Sequence, residues 1–133
     1  MTDAKTASCS CGQLRAICAG DPKFVSICHC DACRHRTGSA FGMAAFFPRA
    51  QVTTEGAAKT FTRLSDMGHP VTFHFCPECG ASVYWEPSRK PDMIAVGAGA
   101  FADPDLPMPQ QSVSDARRYG WIAFPVEMIK RAE

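Results

Sequence analysis

Seven of the eight cysteines fall into three tight clusters, and this constrains the chain more than anything else in it. Cys9-Ser10-Cys11-Gly12 lies near the start. Cys28-His29-Cys30-Asp31-Ala32-Cys33 follows, and Cys76-Pro77-Glu78-Cys79-Gly80 lies past the middle; only Cys18 stands alone. Such spacings let neighbouring sulfurs converge on one ion, and thiolate sulfur in sets of four suits zinc. Cys11-Gly12 and Cys79-Gly80 each precede an alternating strand, so the two pairs read as equivalent turns. A glycine there relieves crowding where backbone amides point at sulfur. Cys9 and Cys11 with Cys76 and Cys79 therefore form the expected closed structural site, stapling the start of the chain to its middle.

Cys28, Cys30 and Cys33 are left to bind a second ion. Three protein ligands leave a fourth position for water, a substrate thiolate or another side chain. His35 is the candidate fourth ligand that would close the site. His29, between two ligand cysteines in an extended segment, is expected to point away from the metal. A redox dithiol at Cys30 and Cys33 is the other reading of the motif, but no strand-then-helix context of the thioredoxin kind is visible. Two zinc ions per chain are expected, the second with partial occupancy.

Composition narrows the classes. A chain of 133 residues suits one domain with a modest core, here taken as 1–133 with a loose arm over 1–8. Fourteen basic and thirteen acidic residues balance to +1, which argues against a nucleic-acid partner. No apolar run reaches the length of a membrane span, and Met1-Thr-Asp-Ala-Lys-Thr-Ala lacks the apolar stretch of a signal peptide. A cytoplasmic location is expected, where clustered thiols serve as metal ligands in preference to disulfides.

Short alternating segments separated by Gly and Pro turns predict an all-β, antiparallel, zinc-stapled domain. Strands are expected at 13–18, 23–28, 41–47, 51–54, 59–64, 71–75, 81–85 and 93–96. A loop is expected over 103–111, with a helical turn at 114–118 capped by Ser114. Phe46, Phe73, Phe75, Tyr84 and Trp85 are expected in the core, as is Cys18; His74 is expected to be exposed, and Trp121 to join a satellite core. Asp31 and Glu78 read as caps on backbone amides within the metal turns.

The order Cys-x-Cys-Gly, then Cys-His-Cys-x-x-Cys-Arg with a following Gly-Ser, then Phe-Cys-x-x-Cys-Gly resembles the glutathione-dependent formaldehyde-activating enzyme family, which also includes a vertebrate centromere protein. The likeness runs from about Cys9 to Trp121, leaving 122–133 as a C-terminal extension. The resemblance implies a fold of the β-tent type. It implies a structural zinc on Cys9, Cys11, Cys76 and Cys79, and a catalytic zinc on Cys28, Cys30 and Cys33. It also implies a carbon–sulfur lyase activity joining glutathione to formaldehyde as S-hydroxymethylglutathione. Glutathione carries two carboxylates, and Arg34 and Arg36, flanking the metal turn, are the candidate cations for them. A non-enzymatic zinc module that binds a thiol such as glutathione, or a macromolecular partner, is the competing reading. Oligomeric state is not legible in the sequence.

Overall fold

The structure is a computed structural model that describes residues 4–125 and 130–131. β1 (Lys5–Ser8), β2 (Arg15–Cys18) and β5 (Val52–Glu55) form a small antiparallel sheet in the order β1-β2-β5. The larger sheet contains β3 (Phe24–Cys28), β4 (Gly42–Pro48), β6 (Lys59–Leu64), β7 (Pro70–Phe75), β8 (Ser82–Pro87), β9 (Met93–Gly97), β10 (Gln111–Val113) and β11 (Lys130–Arg131). Its order is β11-β10-β3-β4-β9-β8-β7-β6. Among the described residues there is one α-helix, α1 (Asp31–Thr37), and none is long and apolar enough to cross a membrane.

The all-β expectation holds, with three corrections. Lys5–Ser8, expected as a loose arm, pairs with β2 from Lys5↔Cys18 to Ser8↔Arg15, and Ala7 is fully buried. A small apolar residue between polar ones carries too little pattern to announce a strand. β10 starts at the last residue of the expected 103–111 loop and runs through two residues given no element, and it pairs parallel to β3 through Gln111↔Ser26 and Val113↔Cys28. The larger sheet is therefore mixed, because β10 returns after a long excursion instead of a hairpin. The triple-cysteine segment is no simple turn, since Asp31–Thr37 is helical. Cys30 caps it by accepting from the Cys33 amide at 3.4 Å, and Gly38, at φ 64°, ends it. The cap is thus Cys30 and not Asp31, which lies 3.6 Å from the Arg34 guanidinium. A 3₁₀ turn forms at Asp115–Arg117, but Ser114, at φ 54°, makes no side-chain cap to it. The remainder of the C-terminal extension beyond Pro125, Lys130 and Arg131 apart, lies outside the described residues.

Alternation along the strands builds two apolar layers. Leu14, Ala16 and Cys18 meet Val25, Ala45, Phe47, Val83, Ile94 and Val96 between the sheets. On the opposite face of the larger sheet, Ala44, Phe73, Trp85 and Ala95 form a second, smaller cluster flanked by Phe46 and Val71. Phe75 is half-buried and Tyr84 buried. α1 packs near this second face, at the start of β4. Two residues depart from expectation. His74 is half-buried, stacked on Tyr84 with centroids 4.4 Å apart and donating to Glu86 at 2.7 Å. Trp121 is 76% exposed and forms no satellite core.

Candidate metal centres

The first cysteine pair belongs to the β1–β2 hairpin and the last to the β7–β8 hairpin, so the four thiols come from two different sheets. The two turns are built alike. Cys9 N donates to Leu14 O and Cys76 N to Ala81 O, each at 3.0 Å. Gly12 N returns to Cys9 O and Gly80 N to Cys76 O, with the glycines at φ 87° and 79°. A side chain would be strained in that conformation, which is why glycine follows the second cysteine in both. Backbone amides then point at sulfur: Leu14 N at Cys9 Sγ (3.3 Å), Glu78 N and Cys79 N at Cys76 Sγ (3.3 and 3.5 Å).

All four sulfurs of Cys9, Cys11, Cys76 and Cys79 lie within 4.8 Å of one another. Cys9–Cys11 and Cys11–Cys76 separations are 3.6 and 3.7 Å. A zinc–sulfur distance of about 2.3 Å gives a tetrahedral edge of about 3.8 Å, so the donor set fits that ion. Burial pushes the Cys76 thiol up, but the amides of Cys79 and Glu78 and the Gln13 side chain outweigh it and bring it down to about 6. A site already disposed to hold negative sulfur is the result. Cys11 moves the other way. The Gln13 backbone N–H lowers it, yet hydrogen bonding among the crowded sulfurs and burial push it up to about 11.

Gln13 was not legible as part of this site. Its amide donates to Cys76 Sγ at 3.0 Å and to Ala57 O at 2.7 Å, and accepts from Ala57 N at 2.9 Å. One side chain thus ties both cysteine turns to the β5–β6 connection. Gly56 makes room for it, since a Cβ there would lie 1.9 Å from Gln13 O.

The second cluster forms where β3 ends and α1 begins. The sulfurs of Cys28, Cys30 and Cys33 converge within 4.8 Å, and no other Cys, His, Asp or Glu donor among the described residues joins them. His35 is exposed on α1 and is not one of the converging donors. His29 does turn away from the sulfurs, but into the protein: it is fully buried, 3.0 Å from Ser112 Oγ, whose hydroxyl donates to Asp115 at 2.8 Å. Because Ser112 spends its proton on Asp115, His29 Nε2 is the donor between them. Hydrogen bonds from Cys28 and Cys33 hold the Cys30 thiol far below its ordinary value, helped by the Cys33 amide and the charge of Arg63, against the cost of burial. The same sharing pushes Cys28 and Cys33 up. Three soft donors already sharing protons around one sulfur suit a divalent ion that would replace those protons. Cys18 is different: buried with no cluster, its thiol is pushed up to about 12 by desolvation.

The two arginines of α1 have separate surroundings. Arg34 donates to Ala40 O at 3.1 Å and to Arg117 O, and its guanidinium lies 4.1 Å from the Tyr119 ring centre. It lines an open cavity of about 500 Å³ with Asp31, His35, Gly38, Ser39 and Tyr119. Arg36 points instead across the second face of the sheet. Its guanidinium lies 4.2 Å from the Trp85 ring centre and 5.4 Å from that of Phe73. Gly42 permits this approach, for a Cβ there would sit 2.8 Å from Arg36 Nη2 and 3.2 Å from Cys33 Cβ. Burial lowers the Arg36 guanidinium, while the adjacent Cys33 sulfur raises it.

Fold and clusters together define a small, mostly β domain with two cysteine-built centres that could each hold a metal ion, one of four donors and one of three. The chain belongs to the family described as glutathione-dependent formaldehyde-activating enzyme, which it matches over residues 4–116. A crystal structure of a Rhodobacter sphaeroides protein is similar, with a TM-score of 0.57 and 18% identity over 71% of this chain and 85% of that one, and it supports the fold. No curated protein sequence matches the chain.

Proposed function

We propose that the protein is a zinc-dependent enzyme of the carbon–sulfur lyase type, forming or cleaving the thiohemiacetal of glutathione and formaldehyde. The observation that carries this reading is the number of donors. Cys9, Cys11, Cys76 and Cys79 supply a complete tetrahedral set that would hold a structural zinc, whereas Cys28, Cys30 and Cys33 supply three, and His35 is not among the converging donors. When bound at those three cysteines, zinc supplies Lewis acidity and favours the thiolate form of a sulfur ligand. In the reaction the glutathione sulfur bonds to the formaldehyde carbon, the C=O pair passes to oxygen, and the thiol proton ends on that oxygen; cleavage is the reverse.

The chain's own residues bind and orient. Cys28, at the end of β3, and Cys30 and Cys33, at the head of α1, fix the sulfur triangle on two rigid elements. Arg36, beside Cys33, offsets the net negative charge of three thiolates around a divalent ion. Arg34, lining the cavity along α1, and Arg36 are the cations for the glutathione carboxylates. Family membership supports glutathione as the thiol.

The test is the exchange rate between formaldehyde, glutathione and S-hydroxymethylglutathione, followed by magnetisation-exchange NMR. The protein should accelerate exchange above the spontaneous rate, and Cys30→Ser should abolish the acceleration. If exchange is not accelerated, while glutathione still perturbs the absorption of a cobalt-loaded second site, the protein is a thiol-binding module and not an enzyme.

A further inference from the structure

The second face of the larger sheet carries a cation that no sequence motif marks. Arg63 lies on β6, the edge strand, thirty residues beyond the triple-cysteine cluster. In the β6–β7 and β7–β8 registers, Phe61 stands opposite Phe73 and Phe73 opposite Trp85, while Arg63 stands opposite Val71. Directly opposed residues share a face, so Phe61, Arg63, Val71, Phe73 and Trp85 all project on the side where α1 packs. The Arg63 guanidinium lies 5.1 Å from the Phe73 ring centre, and that of Arg36 lies 5.4 Å from the same ring. Two like charges thus sit around one aromatic ring. Among the described residues neither forms an ion pair with a carboxylate, whereas Arg15, Arg34, Arg49, Arg117 and Arg118 each do. Arg36 Nε is buried with no hydrogen-bond partner.

Juxtaposed guanidinia repel, and an unmet N–H in a buried position costs free energy. An anion between them would relieve both penalties. The sulfurs are close at hand: a Cβ on Gly42 would meet both Arg36 Nη2 and Cys33 Cβ, and Arg63 flanks the same Phe73 ring as Arg36. Phe61, 61% exposed, extends the aromatic floor outward from Phe73 and leaves the approach open.

We propose that Arg63 joins Arg36 as a carboxylate-binding pair beside the three-cysteine centre, so that the site selects thiols that also carry a carboxylate. This rests on the reading of Cys28, Cys30 and Cys33 as the place where a substrate thiol binds. Arg63 is a specificity residue supplied by the far edge of the sheet, and the Phe73 ring lies within cation–π reach of both guanidinia.

The experiment compares two thiols of equal length on the cobalt-loaded protein: 3-mercaptopropionate and 3-mercaptopropanol. Cobalt absorption reports sulfur ligation. The carboxylate thiol should bind roughly tenfold more tightly, as a charged hydrogen bond would give. Arg63→Ala should remove most of that preference and leave the alcohol's affinity unchanged; Arg63→Lys should restore part of it. Arg63 is on an edge strand and, among the described residues, its guanidinium meets the Phe73 ring and Leu64 O at 3.3 Å, so the variant is expected to fold. Equal affinity for the two thiols, or an Arg63→Ala preference like the wild type's, would overturn the pair while leaving the thiol reading intact. A second measurement covers the case in which neither thiol alters the spectrum. S-methylglutathione, which keeps both carboxylates but has no thiol, is titrated while the Nε–H resonances of Arg36 and Arg63 are followed by NMR. Movement of both supports the pair even if the thiol reading has failed, and no movement overturns it.

Discussion

Arg36 and Cys33 owe their contact to an absence, the missing side chain of Gly42. Placing a methyl there would meet Arg36 Nη2 at 2.8 Å and Cys33 Cβ at 3.2 Å, with the strand on one side and the helix on the other. Gly42→Ala should therefore cost roughly 1–3 kcal/mol of stability through overpacking, and it should displace Arg36 from the Trp85 ring. Urea unfolding measures the first effect, and the indole Nε1–H shift of Trp85 the second; an unchanged midpoint and shift would show that α1 simply moves aside. Gln13 makes the complementary case, in which one side chain does much at once. Gln13→Ala removes two bonds to Ala57 and one to Cys76 Sγ, and should cost about 1–3 kcal/mol. The four-cysteine centre should also release its ion to a competing chelator faster, since the amide that stabilises the Cys76 thiolate is gone. Release at the wild-type rate would mean the three backbone amides that point at Cys9 and Cys76 Sγ suffice.

β8 is fastened from outside by Glu86, whose carboxylate accepts from His74 on β7 at 2.7 Å and lies 2.8 Å from Arg49, past the end of β4. Burial works against the Glu86 charge, but His74 and Arg49 outweigh it and hold the carboxyl below its ordinary value. A depressed folded value means that the unfolded chain binds the proton more readily. The contribution of Glu86 is then full above the ordinary glutamate value of 4.5 and fades as pH falls through the lower folded value. Glu86→Gln should destabilise the protein by roughly 1 kcal/mol near pH 7. The gap between variant and wild type should close below about pH 4.5. Denaturant midpoints from pH 7 to pH 3 read this directly, and a gap that widens as pH falls below 4.5 would reverse the sign assigned to the interaction. α1 is fastened differently, by Cys30 at its head, Gly38 at its tail and the bond from Thr37 Oγ1 to Cys33 O at 2.8 Å.

For the molecule as a whole, the two centres occupy different positions in the fold. The four-cysteine centre joins the β1–β2 hairpin of the small sheet to the β7–β8 hairpin of the large one. The three-cysteine centre joins neighbouring residues on β3 and α1. An ion at the first would hold the sheets together, and its binding free energy would be folding free energy. Mild chelation should accordingly remove one zinc per chain while circular dichroism is unchanged, and the second should leave only on unfolding. Cys79→Ser should cost several kcal/mol, whereas Cys30→Ser should lower the metal content with a much smaller loss of stability. Simultaneous departure of both ions, or equal damage from the two substitutions, would count against the division into a closed and an open centre.

The sequence by itself determined the chemistry that is local in the chain. The grouping of Cys9, Cys11, Cys76 and Cys79 apart from Cys28, Cys30 and Cys33 was legible because knuckle spacing and the following glycines are short-range constraints on where sulfur can point. Most strands were legible too: Arg15–Cys18 shows the two-residue period of a half-buried strand, and Met93–Gly97 is a short apolar run of the kind that a strand buried on both faces shows. Only the tertiary structure decided what depends on residues far apart. β10 was hidden because its pairing partner, β3, lies more than eighty residues away, and three residues between prolines and a turn carry no periodicity. His74 and Trp121 were misjudged because burial is a property of what packs above a strand or loop, which alternation does not encode. Arg34 and Arg36 sit two residues apart in sequence, yet a helix sends residues at that spacing to different sides. One lines the cavity beside Tyr119 and the other lies over Trp85. Arg63 reaches the Phe73 ring, which Arg36 also flanks, only because β6, β7 and β8 stack their registers across the sheet.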